Sequence, residues 1–339
     1  MNLSDRKKKI LSAVVDESIK TAKPVGSKDI QEKYMQDFSS ATIRNELSAL
    51  EEMGFLTQPH TSAGRLPTTE GYKMYVEELM QLKGLSKKEA NIIKDAFDEK
   101  LITLNDIMQN AAKTISDVTN YASVVYFGLT DDAVIDKIYL MKARPNSTLV
   151  IVSTDLGIIK EETNHIFASE DELLQASKIL SSLFCGKSLR DVTNSDNTIT
   201  NELLKYRQIF QTIVDIIVHR DSDKSKNMMI AGKEKLLNYP EYQDITKLKR
   251  ALSLLDDEES LYPLINSDPN LEINIKIGGE ETGLSDCSVV SATYKLNGKP
   301  IGSAGVIGPV RMDYGKVISI LKNVTNMLED SISDSKEDK

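Results

Sequence analysis

The chain has 339 residues, of which 40% are hydrophobic and 27% are charged, and its net charge is −9. This is the composition of a globular protein with two or three domains, and no apolar run approaches the roughly 20 residues that a membrane-spanning helix needs. The first residues lack the apolar core of a signal peptide. The two cysteines, Cys185 and Cys287, form no metal-binding or redox pattern. The sequence therefore predicts a cytoplasmic protein with no membrane partner.

The negative charge is unevenly distributed along the chain. Residues 1–83 contain 12 basic and 12 acidic side chains, so the whole net charge of −9 belongs to residues 84–339. An acidic body suppresses non-specific attraction to polyanions but leaves specific recognition by a neutral first domain possible. We therefore expect only modest affinity for random nucleic acid.

The first 84 residues have the pattern of three helices followed by a hairpin. Apolar residues recur three and four positions apart in the helices, and breaks fall at Pro24 and Gly54. The predicted elements are helices at 5–21, 28–35 and 40–53 and two hairpin arms at 55–57 and 65–67. The predicted inward positions of the third helix are Ile43, Leu47, Leu50 and Met53. This order predicts a winged helix-turn-helix domain over residues 1–84, a module that docks on DNA.

Polar side chains of the third helix and of the hairpin are the candidate DNA contacts. Arg44 and Asn45 are expected at base edges, because forked donors and amides read base edges in the major groove. Further candidates for phosphates, neighbouring bases or the minor groove are Lys28, Ser40, Thr42, Ser48, His60, Ser62 and Arg65. In one alternative, Arg44 is a solvated charge paired with Glu46 or Glu51. In another, His60 only stabilises the turn.

A long helix with a heptad seam is predicted after the first domain. Ser86 to Glu89 fits a capping box, and apolar residues then recur with alternating spacings of four and three. They are Phe97, Leu101, Leu104, Met108, Ala111, Ile115 and Val118. The seam indicates either a self-association helix or a helix packed on its own sheet, and the sequence leaves both open.

From Tyr121 onward the pattern changes to short β-rich runs, then to helices, and then back to strands. A four-stranded antiparallel meander is predicted first, then helices at 170–184, 199–219 and 244–256, then strands at 271–277, 288–296 and 300–308. Strands on both sides of the helices predict an α+β domain interrupted by a mainly helical insertion. The predicted domains are a discontinuous one at 85–167 and 246–333, an inserted one at 168–245, and a frayed tail at 334–339.

Several short motifs resemble chemical sites without completing them. Gly186-Lys187-Ser188 resembles the end of a phosphate-binding loop, but Ser181 stands where that loop needs a glycine. The three histidines have no companion nucleophile pattern, and the zinc-protease, hydrolase and paired-cysteine motifs are missing from the sequence. We therefore expect no cofactor, no metal and no enzymatic activity.

Two segments resemble the family of the heat-inducible transcription repressor HrcA. The first begins at Pro24-Val25-Gly26-Ser27 and continues through SSATIRNELSALEEMGFLTQPHTSAGRLPTTEGYKMYV, and the second is VIGPVRMDYGKVI at 306–318. The likeness is specific over residues 24–76 and 287–320. It is looser between them, where only the order and character of the segments match.

The resemblance implies an N-terminal winged helix, a GAF-like domain and an inserted dimerising domain. It implies a homodimer that binds double-stranded DNA at an inverted-repeat operator, the CIRCE element, ahead of chaperone operons. It also implies a GroEL-type chaperonin as a partner that helps the repressor reach its binding-competent fold. During heat stress unfolded proteins occupy that chaperonin, so the resemblance implies that heat relieves repression.

A homodimer needs a surface, and the sequence offers the heptad helix and the wide apolar face of the helix at 199–219. We favour the second, because its apolar face is wider than one domain core needs. The predicted interface residues are Leu203, Tyr206, Phe210, Ile213 and Ile217. Burial of that helix within its own insertion is the alternative.

Two other functional classes compete with a repressor. One is a ligand-sensing signalling protein of the GAF type whose winged-helix domain is regulatory, although no polar cluster in the sequence identifies a ligand. The other is an enzyme, which would need a catalytic constellation that the sequence does not reveal.

Overall fold

The computed structural model describes residues 3–60, 63–98, 104–128, 131–194, 206–219, 228–266, 268, 271–279, 284, 286–296 and 298–337. The helices are α1 (Asp5–Thr21), α2 (Ser27–Lys33), α3 (Ser40–Glu52), α4 (Thr69–Met74), α5 (Lys87–Asp98), α6 (Leu104–Thr119), α7 (Glu170–Phe184), α8 (Leu189–Thr193), α9 (Arg207–His219), α10 (Ile245–Asp256), α11 (Glu258–Ile265) and α12 (Tyr314–Glu337). The strands are β1 (Leu56–Thr57), β2 (Leu66–Pro67), β3 (Ala122–Phe127), β4 (Ile135–Arg144), β5 (Ser147–Thr154), β6 (Gly157–Thr163), β7 (Met228–Ala231), β8 (Ile273–Ile277), β9 (Cys287–Leu296) and β10 (Lys299–Pro309). Within the described residues, no helix is both long and apolar enough to cross a bilayer.

The chain divides into two compact units. The first comprises Met1–Leu101, Asn105–Tyr126 and Met228–Ser331, and the second comprises Ile102–Leu104, Phe127–Asn227 and Ile332–Lys339. The first unit contains a winged-helix head, from α1 to α4, and a sheet domain built on β3 and β7 to β10. The sequence instead predicted the insertion at 168–245. The difference arises because β4, β5 and β6 form a sheet of their own, separate from the five-stranded sheet.

The head has the predicted order of three helices and a wing, with β1 and β2 paired antiparallel. The buried residues of α1 and α3 include Ile10, Leu11, Val14, Val15, Ile43, Leu47 and Leu50, each 4% exposed or less. Their three- and four-residue spacing places them on one face of each helix, so the amphipathic pattern alone explains this core. Met53 was wrongly predicted to be inward. It is the C-cap residue of α3, beyond the last helical turn, and is 37% exposed.

The predicted long heptad helix comprises two helices in the described residues, α5 and α6, and Leu101 lies outside those residues. The seam residues that are buried within the chain are Met108, Ala111, Ile115 and Val118. Intramolecular packing therefore occupies this seam, as the second of the two predicted alternatives requires.

The predicted capping box at the start of α5 is confirmed. The Ser86 N–H donates to Glu89 Oε2 at 2.9 Å, and the Glu89 N–H donates to Ser86 Oγ at 3.3 Å. Lys316 Nζ lies 2.6 Å from Glu89 Oε1. The hydrogen bond from Lys316 and that from the Ser86 N–H lower the pKa of Glu89 to about 2.

Replacing Glu89 with glutamine should lower the free energy of unfolding by on the order of 1 kcal/mol at pH 7, because the ion pair with Lys316 is lost. A lowered carboxyl pKa stabilises the fold above the unfolded value near 4.5, and this stabilisation is lost as the pH falls toward 2. In urea titrations between pH 7 and pH 3, the difference in stability between the two proteins should therefore stay constant down to about pH 4.5 and shrink progressively below it. As a control, Glu52→Gln should change little, because no ion pair in the described residues includes Glu52. A gap that stays constant with pH would contradict the assignment.

The sheet domain has its five strands in the order β7-β3-β10-β9-β8, and the pairings β3–β7, β8–β9 and β9–β10 are antiparallel. Alternate residues of the strands face two different helical layers. Val124 and Val289 belong to an apolar cluster with Leu255 of α10 and Leu261 of α11. On the other face the Ser123 hydroxyl donates to the carbonyl of Ala112 in α6 at 2.5 Å. Helices therefore cover both faces of the sheet.

The C-terminal helix α12 starts beside this sheet. The hydroxyls of Tyr314 and Ser288 lie 2.8 Å apart, and the Lys295 N–H donates to Glu329 Oε1 at 2.5 Å. The helix continues to Glu337. The helix therefore includes residues 334–337 of the tail at 334–339 that the sequence predicts to be frayed.

The second unit contains a meander of β4, β5 and β6 and the helices α7, α8 and α9. The sequence predicted four strands here, but β3 belongs to the five-stranded sheet. Helix α7 lies along the free edge of β4, where the Leu140 N–H donates to Ser177 Oγ at 2.8 Å and the Ile138 N–H donates to Ser181 Oγ at 3.0 Å. These serines satisfy the edge groups that would otherwise be open to another strand.

The apolar face of helix α9 is buried inside the second unit, whereas Gln208, Gln211 and Asp215 on its other side are exposed. The Phe210 ring stacks on Phe184 of α7 at 5.3 Å, and the Tyr206 hydroxyl donates to Gln175 Oε1 at 3.2 Å. The predicted interface residues Tyr206, Phe210, Ile213 and Ile217 are all 5% exposed or less, and Leu203 lies outside the described residues. The wide apolar face of α9 is therefore explained by packing within one chain, which corrects the predicted dimer surface.

Candidate nucleic-acid interface

The turn between α2 and α3 is held by hydroxyl groups. Ser39 is the N-cap of α3, where its Oγ accepts from the Thr42 N–H at 3.1 Å and lies 2.8 Å from Thr42 Oγ1. The hydroxyls of Ser27 and Ser40 lie 2.9 Å apart and join the two helices. Two of the predicted DNA-contact residues, Ser40 and Thr42, thus make hydrogen bonds within the protein that fix the start of α3, the recognition helix of the predicted helix-turn-helix.

Arg44 and Asn45 lie exposed in the second turn of α3, and Ser48 is half-buried one turn further on. Because residues three and four apart share a helix face, these three side chains follow one outward strip. In a helix-turn-helix motif the second helix, which is α3 in this chain, enters the major groove with residues near its N-terminal end.

The acidic neighbours of Arg44 are bound to other cations. Glu46 Oε2 lies 2.6 Å from Lys7 Nζ, and Glu51 Oε2 lies 2.8 Å from Arg65 Nη2. Among the described residues, no ion pair includes Arg44. Arg44 therefore does not pair with Glu46 or Glu51 in this structure, and its side chain is exposed.

Backbone hydrogen bonds join the wing to the segment before α2. The Val25 N–H donates to the Arg65 carbonyl and the Arg65 N–H donates to the Val25 carbonyl, both at 2.8 Å. Gly64 makes this pairing possible, because a Cβ at that position would lie 2.4 Å from the Val25 carbonyl carbon. The sequence analysis assigns Val25 no role, although a β-branched residue favours extended backbone.

Arg65 lies directly before β2, at the start of the predicted second arm of the hairpin. Its side chain is only 14% exposed, its Nη2 pairs with Glu51 of α3, and its buried Nε has no hydrogen-bond partner. Arg65 thus ties the wing to the recognition helix. At the tip, His60 is exposed and its carbonyl accepts from the Ala63 N–H at 2.8 Å, while Ser62 lies outside the described residues. Lys28 is exposed on α2.

A buried carboxylate joins α1 to the end of α2. Glu17 is 7% exposed and is bound by Lys33 Nζ and by the Tyr34 hydroxyl at 3.1 Å. The hydrogen bond from Lys33 outweighs burial and holds the pKa of Glu17 below its ordinary value. This ion pair holds α2 against α1. It therefore helps to fix the position of Lys28, which lies on α2.

Comparison with known proteins gives the family. A family described as "Winged helix-turn-helix transcription repressor, HrcA DNA-binding" matches residues 2–81, and one described as "HrcA protein C terminal domain" matches residues 105–318. A crystal structure of a hypothetical protein, 23% identical, superposes with a TM-score of 0.61 and covers 98% of both chains, which supports the fold alone.

Full-length relatives agree with these matches. The heat-inducible transcription repressor HrcA of Natranaerobius thermophilus is 34% identical over 97% of this chain and 96% of its own. Those of Pelotomaculum thermopropionicum and Clostridium tetani are each 36% identical, covering 97% and 98% of this chain and 98% and 97% of their own. These relatives are named as transcription repressors and not as enzymes. The chain therefore belongs to the HrcA family of heat-inducible transcription repressors and carries the winged-helix DNA-binding domain of that family.

Proposed function

We propose that this repressor binds, as a homodimer, a CIRCE-type inverted repeat ahead of chaperone operons and releases it under heat stress. The observation that carries the proposal is the exposed Arg44–Asn45 pair on α3, whose acidic neighbours are bound to other cations. Such a strip can present a guanidinium and an amide to base edges without first breaking an internal ion pair. Because repression acts on the chromosome, we assign the protein to the cytoplasm.

The roles of the remaining side chains follow from their positions. We assign Arg44 and Asn45 to base edges, and Ser40, Thr42 and Ser48 to phosphates or flanking bases. Lys28 and His60 are both exposed and suit phosphate contacts. Arg65 acts indirectly, because its guanidinium is engaged with Glu51. DNase footprinting upstream of the chaperone genes should show two protected half-sites related by a two-fold axis, and one isolated protected half-site would contradict the dimer.

The two-fold dimer needs a surface other than α9. The outer face of the β4–β5–β6 sheet carries Tyr139, Met141 and Ile158, which are 41%, 46% and 62% exposed. Tyr139 pairs with Ile151 and Met141 pairs with Leu149, which places two further half-buried apolar side chains on the same face. Lys160 and Glu162 lie opposite Ile151 and Leu149 on the same face, so charged side chains border the exposed apolar ones. Because exposed clusters of large apolar side chains mark contact surfaces, we assign this face, which we call the apolar sheet face, to the dimer contact.

Changing Met141 and Ile158 together to aspartate should weaken the dimer at least about a hundredfold, because two carboxylates would lose water on association. Sedimentation velocity measures the result, with Leu237→Asp as the matched control, since Leu237 is 62% exposed on the first unit. The double variant should sediment as a monomer that still binds a single half-site. A variant that remains dimeric would exclude this face.

The GAF-like and dimerising assignments belong to this proposal. A five-stranded sheet with helices on both faces supports a GAF-like sheet domain, and the second unit corresponds to the inserted dimerising domain. Relief by heat and the partnership with a GroEL-type chaperonin rest on the family alone. Adding purified chaperonin to freshly refolded repressor should raise the fraction that binds operator, and an unchanged fraction would remove the chaperonin from the proposal.

The ligand-sensing alternative gains little from the first unit. A cleft of about 660 Å³ is lined in part by Tyr72, Glu241, Lys247, Asp286 and Arg311. Its charged groups are already paired with one another, Arg311 with Glu241 and Lys247 with Asp286 at 3.0 Å. Among the described residues, the cleft therefore offers no uncompensated charge that would select a ligand.

A further inference from the structure

One short segment at the start of α12 makes polar contacts with the head and with the chain that leaves the head. This segment, residues 310–316, is called the docking segment below. Arg311 Nη1 donates to the carbonyl oxygen of Ile19 at 2.8 Å, and its Nε and Nη2 bind the two oxygens of Glu241. Ile19 belongs to the last turn of α1 in the head, whereas Glu241 belongs to the sheet domain.

The Arg311 contact supplies a hydrogen-bond donor to the C-terminal end of α1. The last carbonyls of a helix have no partner within the helix and carry its negative dipole end. The guanidinium gives the Ile19 carbonyl a charged donor, while Glu241 fixes the planar fork in one orientation. The Arg311 side chain is 14% exposed and its guanidinium lies 5.8 Å from the ring centre of Tyr239. Arg311 thus binds the head at one carbonyl, that of Ile19.

Further contacts of the docking segment surround Arg311. Lys83 Nζ lies 3.0 Å from both carboxylate oxygens of Asp313, and the rings of Tyr72 and Tyr314 lie 6.5 Å apart. A Cβ on Gly315 would lie 2.8 Å from the carbonyl oxygen of Gln81, so the chain leaving the head passes close to the docking segment. These contacts join residues about 230 positions apart in the sequence.

The covalent connection alone does not orient the head. Residues 80–86, between the head and α5, contain no helix or strand. The orientation of the recognition helix relative to the sheet domain therefore depends on side-chain contacts, and those of the docking segment are the charged ones. In a two-fold dimer, that orientation sets the distance and angle between the two recognition helices.

We propose that Arg311 is a positioning residue for operator binding, which holds the winged-helix head at one orientation on the sheet domain and thereby selects the spacing between half-sites. The proposal rests on the dimeric operator binding proposed above. Arg311 does not touch DNA, and its contribution is to hold the second head where the second half-site lies. A rigidly held second site binds at high effective concentration only when its geometry matches.

The test compares the full-length protein with Arg311→Gln, which keeps the size of a polar side chain but loses the charged fork. Arg250→Gln is the matched control, because Arg250 is 62% exposed in the same domain and pairs only at the surface with Asp286. Fluorescence anisotropy would measure binding to the inverted repeat, to repeats whose spacer is two base pairs longer or shorter, and to a single half-site.

Wild type and Arg250→Gln should prefer the natural spacing by about tenfold or more. Arg311→Gln should reduce that preference to within about threefold, while its affinity for the single half-site stays within about twofold of wild type. A residue that only stabilises the fold would lower all these affinities together or leave the preference unchanged. A folded Arg311→Gln protein with the wild-type spacing preference would overturn the proposal.

Two further outcomes are separated by the same experiment. If wild type itself shows no preference for the inverted repeat or for its spacing, the proposed dimeric function fails, and the role of Arg311 fails with it. If circular dichroism shows that Arg311→Gln does not fold, Lys83→Gln takes its place, since Lys83 is 49% exposed and reaches the docking segment through Asp313. That variant should lose part of the spacing preference, and retention of the full preference would overturn the proposal.

Discussion

Replacing Arg44 with alanine should lower the affinity for the operator by about 1–3 kcal/mol, or roughly 5- to 150-fold, and relax the choice of base at one position. The side chain is exposed on α3, and the two nearest glutamates of the helix are bound to Lys7 and Arg65. Little internal structure is therefore lost with Arg44, and the change reports on DNA contact alone. Anisotropy titrations with the operator, with its single-base variants and with a scrambled duplex measure the effect.

The control for Arg44→Ala is Arg190→Ala, which also removes one exposed guanidinium but lies on the second unit, where Arg190 pairs with Asp132. This control should leave operator binding within about twofold, because a single surface charge outside the winged-helix head contributes little at physiological salt. Equal weakening of operator and scrambled duplex by Arg44→Ala would move Arg44 from base recognition to phosphate binding. An unchanged operator affinity would remove it from the interface.

Replacing Gly64 with alanine should destabilise the head by roughly 2–3 kcal/mol and weaken operator binding with it. The new methyl group would lie 2.4 Å from the carbonyl atoms of Val25, so the paired backbone hydrogen bonds between Val25 and Arg65 must open. The wing would then lose its attachment in front of α2, and Arg65 would move away from Glu51.

Gly84→Ala is the matched control for that experiment, because a Cβ at Gly84 would meet nothing within 4 Å. It should be neutral in thermal unfolding and in operator binding. Hydrogen exchange of the Val25 and Arg65 amides should quicken in Gly64→Ala, since both donate in the pairing. Wild-type stability together with unchanged exchange would show that the backbone can yield at this point and would refute the role given to Gly64.

The head could be predicted from the sequence because its structure is local. The spacing of Ile43, Leu47 and Leu50 gives the buried face of α3, and Gly54 gives its end. The exposure of Arg44 and Asn45 follows from the same spacing. Only positions at helix ends, such as Met53, escape this reasoning, because periodicity does not say where the last turn stops.

The remainder depends on contacts between distant residues, which local patterns do not contain. The sequence pattern predicts that Arg65 is an exposed cation of the wing. In the structure the backbone of Arg65 pairs with that of Val25, forty residues earlier, and its side chain binds Glu51. The wide apolar face of α9 is typical of an interface helix, but Phe184 stacks on Phe210 and covers it within one chain. The role of Arg311 likewise depends on the carbonyl of Ile19, nearly three hundred residues away.

Sequence-specific binding is tested by an anisotropy titration with the inverted repeat and with a scrambled duplex of the same composition, at two salt concentrations. We expect the repeat to bind about a thousandfold or more tighter than the scrambled duplex and to saturate at two chains per duplex. We also expect the logarithm of the affinity for the scrambled duplex to fall linearly with the logarithm of the salt concentration, because that binding depends on phosphate contacts. Equal affinity for both duplexes, in the presence of chaperonin as well as without it, would contradict the assignment of a sequence-specific repressor to this chain.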